Sequence, residues 1–188
     1  MNLSRQPGAR CDAAVAIVHS RTEDSILLIR RSEREDDPWS GHWSLPGGRS
    51  EAGDPDALHT ALRELEEECG IHLSREHLKT ELPPAHARRK TGPRLVVAPF
   101  VFDVEAELPV VLDQREAVEA KWIPLSLLLD AAQHCVCAVP GMPLDMLFPA
   151  VVLGTVPLWG FTYRLLSHWL GVVPESGGDT ISGSQENL

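Results

Sequence analysis

The stretch from Asp54 to Gly70 constrains this chain more than any other. Asp54 is a natural N-cap and Pro55 suits a first helical position. Leu58, Ala61, Leu62, Leu65 and Cys69 recur at helical spacing as one apolar stripe, and Gly70 stands where a helix ends in a left-handed residue. The spacing therefore predicts an amphipathic helix that packs one face on a core. Its last turn breaks a local rule. Glu66, Glu67 and Glu68, with Glu64 just before them, lie where the helix dipole favours cations, and they repel one another, each effect costing about 0.3–1 kcal/mol. At about 100° per residue, with Leu65 turned to the core, Glu64, Glu67 and Glu68 share one flank and Glu66 falls on the other. Three carboxylates on one side make an oxygen-ligand set suited to Mg²⁺ or Mn²⁺; the alternative for such a run is a solvated acidic face.

Residues 13–18 and 25–29 read as buried strands around a polar turn at 20–24, and residues 95–104 and 117–123 as two more. Leu45-Pro46-Gly47-Gly48 punctuates the chain between a polar loop and the helix. Helical patterns return at 124–132 and 158–170, while the chain from Pro174 onward has the Gly, Ser and Glu content of a flexible tail. One domain over residues 11–172, preceded by a flexible segment at 1–10 and followed by a tail at 173–188, is the expected organisation of the 188 residues. The net charge of −10 disfavours a broad phosphate-backbone surface, so no nucleic acid partner is expected. An acidic protein still takes a small polyphosphate when a metal ion supplies positive charge.

No run reaches the ~20 apolar residues of a membrane span; residues 146–158 are interrupted by Pro149, Gly154 and Pro157. Residues 1–11 hold Arg5, Pro7 and Arg10 and no apolar run, so a signal peptide is not expected and the cytoplasm is the expected compartment. Cys11, Cys69, Cys135 and Cys137 read as reduced thiols, the last two spaced too closely for a CxxC redox motif. His134-Cys135-Val136-Cys137 could bind a metal, although small buried apolar residues are the more frequent outcome for such cysteines.

Gly48, Asp54 and then Arg63-Glu64-Leu65-Glu66-Glu67-Glu68-Cys69-Gly70-Ile71 resemble the Nudix box, G-x5-E-x7-R-E-U-x-E-E-x-G-U with U apolar. The second half matches without a substitution. In the first half Asp54 replaces glutamate, and eight residues instead of seven separate it from Arg63. The resemblance implies an α/β Nudix fold, an α/β/α sandwich with a mixed sheet and the box as a loop-helix-loop. It also implies a metal-dependent diphosphatase with Glu64, Glu67 and Glu68 as metal ligands, Arg63 orienting a carboxylate, and Glu116 as a further ligand or base, with Glu119 the competing choice. Gly47 and Gly48 would shape the turn into the box or admit the phosphates.

Three further stretches are similar to the coenzyme A diphosphatase branch of that family. Leu27-Leu28-Ile29-Arg30-Arg31-Ser32 with Gly41 and Leu45-Pro46-Gly47-Gly48 follows the spacing of LLTxR[SA]x3Rx3Gx3FPGG, with Asp37 where the pattern has arginine. The lengthened box and Trp159-Gly160-Phe161-Thr162, near a WGxT segment, are the others. An aspartate at 37 repels phosphate where an arginine would bind it. Arg30, Arg31, Arg88 and Arg89 are the candidate substrate-binding cations, the last two in a basic cluster at 87–94. The expected partner is a small-molecule diphosphate, coenzyme A first, with products 3′,5′-ADP and 4′-phosphopantetheine. ADP-ribose, a nucleoside-diphosphate sugar, a dinucleoside polyphosphate or a nucleoside triphosphate keep the same chemistry. A nucleotide sensor without turnover is the reading from another class, and a homodimer is compatible with the sequence.

Overall fold

The computed structural model describes residues 11–33, 40–87, 94–140, 142–143 and 145–172. Chain order is β1 (Ala13–Ser20), β2 (Ser25–Arg31), β3 (Trp43–Ser44), β4 (Gly47–Arg49), α1 (Ala57–Cys69), β5 (Leu78–Glu81), β6 (Ala85–Ala87), β7 (Leu95–Val104), β8 (Ala117–Pro124), α2 (Leu125–Leu129), β9 (His134–Cys137), β10 (Phe148–Leu153), β11 (Val156–Trp159) and α3 (Gly160–Trp169). The four strands read from the sequence are the long strands of one mixed sheet. β1 and β7 run parallel over eight residue pairs, while β2 pairs antiparallel with β1 and β8.

The pairing of β1 opens the site. β2 is bonded to β1 only at His19–Ile26 and Ser20–Ser25, then diverges toward β8. At the other end of β1, residues Ala13, Ala14 and Val15 pair instead with Arg49, Gly48 and Gly47 of β4. The two glycines thus lie against the sheet where β2 has left it.

Each sheet face has its own core. On one side α1 packs Leu58, Ala61, Leu65 and Cys69 against Ala14, Ala16, Val18, Leu27, Ile29, Phe100 and Phe102. On the other, Ile17, Ile26, Leu28, Val101 and Ile123 meet Leu125 and Leu128 of α2, Val151, Leu153 and Leu158, and Tyr163, Leu165 and Leu166 of α3. Strand alternation sends neighbouring residues of β2 into different layers, which is why its apolar run is continuous. That second face carries more than helices: β9, β10 and β11 form an antiparallel three-stranded sheet there.

Several local expectations shift. The helix N-cap is Asp56, whose side chain accepts from the His59 N–H at 2.9 Å, so Pro55 precedes the cap. Asp54 is drawn off by Arg63. The pattern at 124–132 yields a helix only over Leu125–Leu129, followed by a 3-10 turn at Ala131–Gln133 that Asp130 caps. Leu158 and Trp159 belong to β11 and the last helix begins at Gly160, because the apolar run at 146–158 folds into the β10–β11 hairpin. No helix among the described residues is long and apolar enough to cross a membrane.

Candidate active site

The C-terminal turn of α1 is closed by its surroundings before its side chains are considered. Gly70 takes the left-handed conformation at φ 65° and donates to the Glu66 carbonyl. Segment 111–113 crosses the helix end, with Val111 and Asp113 N–H groups donating to the carbonyls of Cys69 and Glu68 at 2.9 and 3.2 Å. Orphan carbonyls of the last turn are thereby satisfied. Asp113 O then accepts from Glu116 N and Ala117 N, and Glu116 O accepts from Ser32 N, which brings Glu116 between β2 and the end of α1.

Arg63 organises the acidic flank. Its Nε and Nη2 grip both oxygens of Asp54 at 3.0 Å, a bidentate pair, and Nη2 also donates to the Arg49 carbonyl. Nη1 donates at 3.0 Å to Glu64 and at 3.0 Å to Glu67. Asp54 further accepts from the Glu51 N–H and the Thr60 hydroxyl, and its carboxyl is held well below the ordinary range, above all by the Arg63 guanidinium. The substitution and the extra residue in the first half of the motif therefore preserve a carboxylate at the arginine. Glu66 turns the other way and meets His72 at 3.2 Å.

Glu68 is the buried member, 3% exposed, and accepts the Gly47 N–H at 2.8 Å. Burial pushes its pKa up to about 8, with the charges of Glu64 and Glu116 adding to the push while the Gly47 N–H and the Arg31 charge oppose it. Glu64 is raised in the same direction, chiefly by burial. The two glycines are required by contact. A Cβ on Gly48 would stand 2.3 Å from Glu64 Oε1, and one on Gly47, at φ 152°, would stand 2.3 Å from the Ala14 carbonyl oxygen. Among the described residues no three His, Cys, Asp or Glu side chains are gathered as ready ligands for one ion, since Arg63 engages Glu64 and Glu67 while Glu68 turns to Gly47.

The two arginines of β2 part company. Arg31 acts on Glu68 and lies on the α1 face, opposite Ala117. Arg30 points to the other face, where Nε donates to Glu119 at 2.9 Å and Lys121 completes the group at 2.8 Å from Glu119. Glu119 belongs to that far cluster, while the charge of Glu116 acts on Glu68. Arg30 stands with Arg31 in the stretch that resembles the coenzyme A diphosphatase pattern, and a period-two reading of β2 separates the two. Arg88, Arg89 and Asp37 lie outside the described residues. Trp43 and Phe100, each 3% exposed, are core residues. Asp54 was missed as the arginine's partner because a carboxylate ahead of a helix reads first as a cap.

The human mitochondrial coenzyme A diphosphatase NUDT8 is 28% identical over 180 residues, covering 91% of this chain and 75% of that protein. An uncharacterized Schizosaccharomyces pombe protein is 39% identical over 108 residues, 55% of this chain, so the chain spans about a third of that relative's length. In fold, the chain matches the NUDIX domain of Shewanella oneidensis NrtR, solved with ADP ribose, at a TM-score of 0.59 and 17% identity, covering 89% of this chain and 93% of that one. The model of the NUDIX domain family itself matches residues 10–136, the span holding the mixed sheet, the glycine pair and the carboxylate helix, and by that match the chain belongs to the NUDIX domain family.

Proposed function

We propose that this protein is a divalent-metal-dependent diphosphatase acting on coenzyme A or a coenzyme A derivative, releasing 3′,5′-ADP and 4′-phosphopantetheine. One observation carries the hydrolytic part: a buried carboxylate, Glu68, accepts the Gly47 N–H and feels the charges of Glu64 and Glu116, with Glu67 on the same flank of α1 beside Arg63. The likeness to NUDT8 across nine-tenths of the chain supports coenzyme A over the other diphosphates.

The donor set fits Mg²⁺ or Mn²⁺. Hard cations take carboxylate oxygens, and a dication would offset the burial that chiefly raises the pKa of Glu68 and the repulsion from Glu64 and Glu116 that adds to it. Glu64, Glu67 and Glu68 would hold the metal, and Glu116 is a further ligand or the base. When bound, the metal neutralises phosphate oxygens and positions the attacking water.

The chain's own residues prepare the rest. Arg63, anchored by both oxygens of Asp54, keeps Glu64 and Glu67 on one side of the helix while their remaining oxygens stay available. Gly47 orients Glu68 through its N–H, and Gly48 leaves room for the Glu64 carboxyl. Arg31, on the glutamate face, is the β2 cation assigned to the phosphates.

The test is incubation of the purified chain with coenzyme A, ADP-ribose, a nucleoside-diphosphate sugar, a dinucleoside polyphosphate and a nucleoside triphosphate, each with Mg²⁺ or Mn²⁺, reading products by mass. Metal-dependent release of 3′,5′-ADP is expected. AMP from ADP-ribose without turnover of coenzyme A would overturn the substrate, and no hydrolysis of any diphosphate would overturn the enzyme.

A further inference from the structure

The three-stranded sheet holds a second group of reactive side chains, apart from the glutamates. Cys135 and Cys137 alternate along edge strand β9 with Val136, which is 54% exposed. Both thiols therefore face the same way, and both pack with Met142 and Phe148 against the buried cluster of Val139, Ala150 and Trp159. Both are free, partly accessible and hydrogen-bonded to each other. The hydrolytic chemistry uses neither.

What two such sulfurs can bind follows from their spacing. Residues i and i+2 of an extended strand have Cα atoms roughly 6.6–7 Å apart, at the upper end of what a disulfide spans. A bridging ion asks less of the backbone, since metal–thiolate bonds of about 2.3 Å let the sulfurs stand up to about 4.6 Å apart. A four-coordinate ion needs more ligands than the site holds. His134 lies on the opposite side of β9 and its ring nitrogens are within 2.9 Å of the Tyr163 hydroxyl and the Leu128 carbonyl. Among the described residues no three His, Cys, Asp or Glu side chains converge there. Two thiolates with a thioether in the same cluster, beside apolar and aromatic walls, select a soft ion that accepts low coordination.

We propose that Cys135 and Cys137, with Met142 alongside, form a two-thiolate site for a soft monovalent metal ion of the Cu(I) class. Binding replaces two S–H bonds by two S–metal bonds and releases two protons, with no change of oxidation state.

The test is titration of the full chain with Cu(I), held anaerobically against a chromophoric Cu(I) chelator, with stoichiometry read by native mass spectrometry. One Cu(I) per chain is expected. Cys135→Ser and Cys137→Ser should each lose the ion, while Cys11→Ser keeps it. In the unsubstituted chain, bound Cu(I) should protect Cys135 and Cys137 from alkylation and leave Cys11 reactive, a readout that does not depend on the variants folding. Absence of a bound ion, its retention by the Cys135→Ser, Cys137→Ser double variant, or alkylation of Cys135 and Cys137 at the same rate with and without Cu(I) would overturn the proposal.

Discussion

Two clusters of arginine and glutamate sit on opposite faces of the same sheet, and they differ in charge balance. On the far face Arg30, Glu119 and Lys121 form a closed triad, with Lys121 also 5.2 Å over the Trp43 ring, at the edge of a cavity of about 100 Å³. Two cations there share one carboxylate, and the Glu119 carboxyl is stabilised in its ionised form, by Lys121 first. On the α1 face Arg63 divides itself among Asp54, Glu64 and Glu67, and Glu68 has a backbone N–H and a share of Arg31. The first arrangement leaves no carboxylate without a cation. The second is the one proposed to take a divalent cation, and this contrast separates a carboxylate matched by its neighbours from the proposed metal site.

The comparison is sharpest at the glutamates. Glu68→Gln and Glu67→Gln keep the shape and remove a negative charge, so turnover should fall about 10³-fold or more, a loss of about 4 kcal/mol of transition-state stabilisation, with circular dichroism unchanged. Normal Mg²⁺-dependent hydrolysis by both variants would erase the distinction between the faces. Next in size, Gly47→Ala drives a Cβ into the Ala14 carbonyl and should destabilise the fold by about 2–3 kcal/mol, read by urea unfolding. Gly48→Ala meets a movable carboxylate instead and should mainly lower turnover, by about tenfold, with the midpoint of unfolding little changed.

A third expectation concerns pH. The fold favours the protonated form of Glu68, whose pKa stands at about 8 against an ordinary 4.5. Between these values the folded state binds more protons than the unfolded, so metal-free stability should be greatest on the acid side and drain away as pH rises from about 4.5 to about 8. Glu68→Gln should flatten that slope, and Mg²⁺ should raise the melting temperature more at pH 8 than at pH 6. A metal-free stability that rises across this window would show that the fold does not favour protonated Glu68. The smallest effect belongs to the far face, where Arg30→Met breaks a partly exposed ion pair worth about 0–1 kcal/mol and should leave KM within a few-fold. A tenfold rise in KM would bring Arg30 back into contact with substrate and blur the two faces.

Much of this was legible in the chain. The apolar stripe from Leu58 to Cys69 and the phase of Glu64, Glu67 and Glu68 follow from a helical period that local sequence expresses directly, and the four long strands are apolar runs with clear ends. The three-stranded sheet was hidden because β9, β10 and β11 are short, β10 and β11 carry prolines, and the sheet gains its order by packing on α3 and the far side of the main sheet. Boundaries moved where two residues compete for one role. Asp54 and Asp56 both precede the helix, and only the reach of Arg63 across nine residues decides which of them caps it.

By itself, the sequence determined the family, the carboxylate helix and the direction each glutamate takes, because side-chain phase on a helix depends on spacing alone. Tertiary structure decided which charges share a space. It brought Gly47 and Gly48 onto β1 against Glu68 and Glu64, set Glu116 beside Glu68, and sent the adjacent Arg30 and Arg31 to opposite faces. Electrostatic energy depends on distance through the folded molecule and on burial, and neither can be read from separation along the chain.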